Sequence, residues 1–126
     1  MRDKGSPILI VEDERIMRNA LIDWLKHEGY PVEGASCGIQ ALEMIEKNSY
    51  SAIIVDLKMP DIDGVSVIRY AKKTVPLVPV VLMTAYPSKD TVVEAMRSGA
   101  KEYLVKPFVP EDLEKILLTC SGGEEE

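Results

Sequence analysis

The sequence predicts an α/β protein: a single doubly wound (βα)5 domain with a five-stranded parallel sheet of order 2-1-3-4-5. Three observations carry that prediction. Short apolar runs alternate with stretches of helical periodicity along all 126 residues, the pattern of strands joined by crossover helices. Most of these runs are apolar without a break, as strands covered by helices on both faces are. One run is polar and suits an edge, and placing it there keeps every crossover right-handed.

The first strand is Ile8–Val11, "ILIV". Met17, Ala20, Leu21 and Trp24 follow as an i, i+3, i+4, i+7 stripe, which Gly29 closes. Val32–Ser36, "VEGAS", is the polar second strand, and Gly38, Ala41, Leu42 and Ile45 mark the helix after it. The third strand, "AIIV", runs Ala52–Val55, meets Asp56 at its mouth, and leads to a helix near Val65–Lys73. "VPVVLM" at Val78–Met83 is the fourth, with Val92, Ala95, Met96 and Gly99 at helical spacing behind it. The fifth, "EYLV" at Glu102–Val105, precedes Leu113, Ile116 and Leu117. After Pro110 there is sequence for only about three helical turns, so a short last helix is expected. The polar, acidic "CSGGEEE" has no apolar partner for packing and is expected to be disordered. The domain is therefore expected over 7–120, with an extension at 1–6 and an acidic tail or the start of a linker at 121–126.

Hydrophobic residues make up 46% and charged residues 29%, as in a globular protein. A net charge of −6 argues against a direct nucleic-acid surface, which needs clustered Lys and Arg. Cys37 and Cys120 lack the spacing of a zinc site or a disulfide framework and read as reduced thiols. No apolar run reaches membrane-spanning length, and the N-terminus does not read as a signal peptide, so the expected compartment is the cytoplasm.

In a sheet of this winding, ligands bind beyond the carboxyl ends of the strands, where the winding reverses between strands 1 and 3. Glu12 and Asp13 follow the first strand, Asp56 the third, Thr84 and Ala85 the fourth, and Lys106 the fifth. Each has a plainer account taken singly: acids favour a helix N-terminus, Asp56 and Thr84 cap, and Lys106 is a surface lysine. Their conjunction at four strand ends points to one crevice. Carboxylates gathered there repel one another unless a cation sits among them, and an oxygen-only donor set suits a hard ion such as Mg2+. One carboxylate can then act as a nucleophile toward phosphorus, with a hydroxyl and an ammonium holding the phosphoryl oxygens.

Two other readings of "DLKMPDIDG" fail. As a calcium loop, Asp61 and Asp63 would fill positions 3 and 5, which puts Met59 and Tyr70 where carboxylates are required. "DIDG" also resembles the DxDG nucleophile signature of haloacid-dehalogenase-like phosphatases. That nucleophile stands directly after a strand, whereas Pro60 and a polar loop precede Asp61. Asp56 is the acid with a strand before it. Asp61 and Asp63 are then explained by turn-making and helix capping.

"VEDE", "DLKMPDIDG", "TAY" and "YLVKPF" occur in an order and spacing that resemble the receiver domains of two-component response regulators, from about Pro7 to Cys120. The resemblance implies a flavodoxin-like fold with Asp56 as phospho-acceptor. It implies that Glu12, Asp13 and Asp56 hold Mg2+ together with the backbone carbonyl of Lys58. Thr84 and Lys106 would bind the phosphoryl group, and Lys106-Pro107 would be a cis peptide. Tyr103 would be the switch aromatic, turning into space vacated as Thr84 moves. The output surface would be the helix 4–strand 5–helix 5 face, where Val93 falls off the buried stripe. The implied donor is a sensor histidine kinase or a phosphotransfer protein, and the implied recipient an output domain or effector, with homodimerisation on phosphorylation a further outcome. Such a protein catalyses its own phosphotransfer and dephosphorylation and is not an enzyme turning over a free substrate.

A Mg2+-dependent phosphohydrolase with an aspartyl-phosphate intermediate is the alternative, but Lys58 stands where it needs a second acid, and no cap insertion is present. An unphosphorylated receiver-like interaction module is opposed by the complete set Glu12, Asp13, Asp56, Thr84 and Lys106. Lys58 and Tyr86 would flank the entrance and tune the lifetime of the adduct. Met59 and Pro60 shape the loop, Gly64 is expected to permit the turn into the third helix, Trp24 reads as core, and His27 as solvent-facing.

Overall fold

The computed structural model of the chain describes residues 5–122. Strands and helices alternate as β1 (Ile8–Val11), α1 (Arg15–His27), β2 (Val32–Ala35), α2 (Gly38–Lys47), β3 (Ala52–Asp56), α3 (Gly64–Thr74), β4 (Val80–Thr84), α4 (Lys89–Ser98), β5 (Glu102–Val105) and α5 (Pro110–Gly122). All neighbouring strands are parallel, in the order β2-β1-β3-β4-β5. The fold is the predicted one.

The unbroken apolar strands follow from burial on two faces. Leu9, Val11, Ile53, Val55, Val80 and Leu82 point into one core, which α2, α3 and α4 cover through Ala41, Ile45, Val67, Ile68 and Ala95. Ile8, Ile10, Ile54, Val81 and Met83 point into the other, covered by Leu21 and Leu25 of α1 and Leu113 and Leu117 of α5. β1, β3 and β4 alternate between the cores with the two-residue period of a pleat. β2 is an edge strand, as its polar sequence predicts, with Glu33 exposed.

Several details depart from expectation. On α1, Ala20 is exposed and Leu25 is fully buried. The helix is rotated so that Met17, Leu21, Trp24 and Leu25 face the core, placing a leucine where alanine has little surface to bury. Trp24 is half-buried rather than central. β4 starts at Val80, not Val78, because Pro79 has no amide to donate to the ladder; its carbonyl still accepts from Ile53. Met96 is as exposed as Val93 (37% and 38%). α4 meets the core through Ala95, its buried residue, which leaves Met96 outside it. α5 is not short: its 13 residues equal those of α1. Cys120 continues the Leu113–Ile116–Leu117 stripe at i+7 and is buried, so "CSG" belongs to the helix rather than to a polar tail. Residues 1–4 of the expected extension and 123–126 of the expected tail lie outside the described residues. Gly29 closes α1 with φ 97°, a backbone conformation glycine adopts freely. His27 is exposed, as anticipated. No helix among the described residues is long and apolar enough to cross a membrane.

Candidate functional site

Sheet register places the site. Val11 pairs with Val55, so Glu12 and Asp56, each the next residue, reach the end of the sheet side by side on the adjacent interior strands β1 and β3. Thr84 pairs with Val105, which brings Lys106 to the same edge from β5. Among the described residues, the buried polar or charged side chains are Glu12, Asp56 and Thr84. Burial of such groups requires partners.

Lys106 supplies them for the two acids. Its Nζ donates to Glu12 Oε1 at 2.6 Å and to Asp56 Oδ2 at 3.0 Å. Glu12 Oε2 accepts from the Glu14 amide at 3.2 Å, and Asp56 Oδ1 receives only a long contact from the Lys58 amide at 3.4 Å. Burial pushes the Glu12 carboxyl above its ordinary value; the Lys106 hydrogen bond pulls it back and the Asp56 charge adds to the rise. Burial opposes the Lys106 ammonium, but its bonds to Glu12 and Asp56 outweigh that cost and raise its pKa. One ammonium therefore faces two acidic side chains. Asp13 adds a third: Glu12, Asp13 and Asp56 each offer an oxygen within 4.8 Å of the others. Three acids against one ammonium leave an excess of negative charge, and the donors are all oxygen. The site fits a hard divalent ion such as Mg2+.

The loop after Asp56 is held from several directions. Leu57 N donates to Met83 O at 2.8 Å and Gly64 N to Leu57 O at 2.7 Å. A Cβ on Gly64 would stand 2.5 Å from the Asp56 carbonyl oxygen and 2.8 Å from Leu57 Cα. Gly64 has no positive φ, so the expected role in turning the chain is corrected: the glycine lets α3 start against the backbone of the Asp56 strand end. Asp63 caps α3, accepting from Ser66 N at 2.9 Å. Asp61 does something the sequence does not announce. It accepts from Gly38 N at 3.0 Å and Ile39 N at 2.7 Å, capping α2 from a distant loop, and from its neighbour Ile62 N at 2.8 Å. The Ile39 amide foremost, with those of Gly38 and Ile62, holds its carboxyl far below the ordinary range.

Thr84 Oγ1 accepts from Tyr86 N at 3.0 Å, and the Thr84 carbonyl accepts from Lys106 N at 2.8 Å. Lys58 Nζ lies 4.7 Å from the centroid of the exposed Tyr86 ring, a cation–π contact across the entrance. Tyr103 is exposed on β5, opposite Leu82 in the register. Lys106-Pro107 is cis, as the resemblance implies. The structure thus brings Glu12, Asp13, Asp56 and Lys106 together, sets the Lys58 amide beside Asp56, and leaves Tyr103 outside the crevice. Arg18, which the sequence does not single out, donates from Nη1 to the carbonyls of Glu12 (2.8 Å) and Asp13 (3.4 Å). An arginine one turn into a helix carries no sequence signal of such a bond.

Sheet order and crevice together define a flavodoxin-like domain with an acidic oxygen site at its point of winding reversal. The response regulator receiver domain family matches residues 8–118, and the chain belongs to that family, whose members are signalling proteins of two-component systems. The transcriptional regulatory protein ZraR of Klebsiella oxytoca is 40% identical over 114 residues, which are 90% of this chain and 25% of that protein. This chain thus spans about a quarter of the length of that relative. A CheY-like receiver domain protein of Methanospirillum hungatei superposes with a TM-score of 0.90 at 32% identity, covering 95% of this chain and 97% of the other. The receiver domain of the sensor histidine kinase PA1611 of Pseudomonas aeruginosa superposes with a TM-score of 0.85 at 31% identity, over 93% of this chain and 98% of that one. That structure holds a magnesium ion in its active-site cleft.

Proposed function

We propose that the chain is a phosphorylation-operated switch, a receiver unit over residues 7–120 that accepts a phosphoryl group on Asp56. The observation that carries this reading is the position of Asp56: last residue of β3, next to Glu12, with Oδ2 on the Lys106 ammonium and Oδ1 nearly free. Mg2+ held by Glu12, Asp13, Asp56 and the Lys58 carbonyl would neutralise the carboxylates and the incoming phosphoryl oxygens.

Asp56 attacks phosphorus through a carboxylate oxygen, the bond from phosphorus to the donor nitrogen breaks, and the donor histidine leaves with the electron pair. Lys106 holds one phosphoryl oxygen, and Thr84 gives up the Tyr86 amide to hold another. Tyr103 then turns inward, coupling the site to the α4–β5–α5 face. That face exposes Val93, Met96, Tyr103, Val105 and Leu118, apolar surface suited to an output domain, an effector or a second copy. Phosphorylation reverses the switch almost completely if it favours one state by about 5.5 kcal/mol. The donor is a sensor histidine kinase or phosphotransfer protein in the cytoplasm. Lys58 and Tyr86, joined over the entrance, control how water reaches the adduct.

The test is intact mass after incubation with Mg2+ and a small-molecule phosphodonor. One phosphoryl adduct is expected in the wild type and none in Asp56→Asn or without metal. Full adduct in Asp56→Asn would move the acceptor elsewhere. Steady turnover of a phosphomonoester would favour a hydrolase, and no adduct with any donor an interaction module.

A further inference from the structure

The turn between β1 and α1 carries the acidic pair, yet the pair's carbonyls belong to no helix. α1 starts at Arg15 with Glu14 as its N-cap, so the carbonyls of Glu12 and Asp13 precede helical bonding. Arg18 reaches back to both of them through Nη1. Although Glu12, Asp13 and Glu14 are all near in sequence, Arg18 forms no ion pair among the described residues. Its donors go to the carbonyls, and the carboxylates are left to other partners. Space for its stem is built into the next strand. A Cβ on Gly34 of β2 would come 3.3 Å from Arg18 Cδ and 2.8 Å from Ile22 Cδ1, and Gly34 has no positive φ that would otherwise require glycine.

We infer that Arg18 is a positioning residue for the metal site. By clamping both carbonyls it fixes the direction in which the Glu12 and Asp13 side chains leave the turn. Asp13 depends on this most, since its exposed carboxylate has no hydrogen-bond partner among the described residues. The inference rests on the reading of Glu12, Asp13 and Asp56 as Mg2+ ligands.

Charge alone predicts the opposite effect. A guanidinium near a cation site repels the cation, so neutralising it should tighten Mg2+ binding. Positioning predicts weaker binding. Arg18→Met separates the two because it keeps the packed stem and removes the donors. Mg2+ would be titrated calorimetrically into wild type and variant, with urea unfolding in EDTA as the measure of metal-free stability. Arg18→Met is expected to weaken Mg2+ binding about tenfold or more, the range for groups that orient metal ligands, with little change in the metal-free midpoint. Equal or tighter binding would overturn the inference, as would a loss of affinity matched by a large drop in metal-free stability. Arg18→Gln, too short to span both carbonyls, repeats the test if Arg18→Met does not fold, with the same expected weakening. A wild type that binds no Mg2+ would overturn the metal reading itself, an outcome visible without any variant.

Discussion

Single atoms decide much about this crevice, and Gly64 shows how. One added methyl would meet the Asp56 carbonyl at 2.5 Å and the Leu57 Cα at 2.8 Å, both backbone, neither able to swing aside. Gly64→Ala is therefore expected to lower stability by about 1–3 kcal/mol, the range for overpacking, and to slow adduct formation by shifting Asp56. Urea unfolding and the rate of the mass increase measure the two effects. The sequence shows a glycine after "DID" and suggests a turn, but backbone approach from a segment eight residues earlier is invisible there. Asp56 itself is legible because an apolar run ends on it. Lys106 is legible only through order and spacing with the others, since nothing local distinguishes it from a surface lysine.

Elements are fastened to each other as well as to the core. The N-cap of α2, Cys37, makes no side-chain capping bond; Asp61, more than twenty residues later, provides it. The β3–α3 loop that carries the site thus also holds the start of α2. Asp61→Ala should destabilise the protein at neutral pH, read as a lower urea midpoint. The pH dependence has a definite sign. A carboxyl depressed in the fold from an ordinary 3.8 adds stability above that value and loses it as pH falls through and below it. The wild type and Asp61→Ala are expected to differ most above about pH 5, with the difference starting to shrink below 3.8 and much of it persisting at about pH 3. At this scale the strands were readable, because burial on both faces leaves uninterrupted apolar runs. Helix faces were less so: Ala20 fits the α1 stripe by spacing and Met96 the α4 stripe, but the rotation of a helix on its sheet is set by tertiary packing. α5 looks shorter in the sequence than it is because Cys120, Ser121 and Gly122 resemble a tail, although Cys120 completes an i+7 stripe.

Over the whole molecule, two hydrophobic cores enclose one sheet, and the acids collect at the end where its strands stop. A metal that binds this folded arrangement and not the unfolded chain stabilises it by mass action. Mg2+ at a hundred times its dissociation constant should add about 2.7 kcal/mol, read as a higher urea midpoint. Asp13→Asn, at an exposed position outside the core, is expected to reduce that gain while leaving metal-free stability nearly unchanged. The sheet order was legible from one polar strand and crossover handedness; the convergence of the site residues followed from that order rather than from their separate identities.

The two bonds of Lys106 span sequence separations of 94 and 50 residues. A chain emerging from the ribosome carries Asp56 and the acidic pair well before the ammonium that organises them. Contacts of such separation form late, after the intervening chain has closed its loop. The crevice is therefore assembled only when β5 has docked. A chain cut short before Lys106, or one whose β5 has not docked, presents the acids without the ammonium that gathers them.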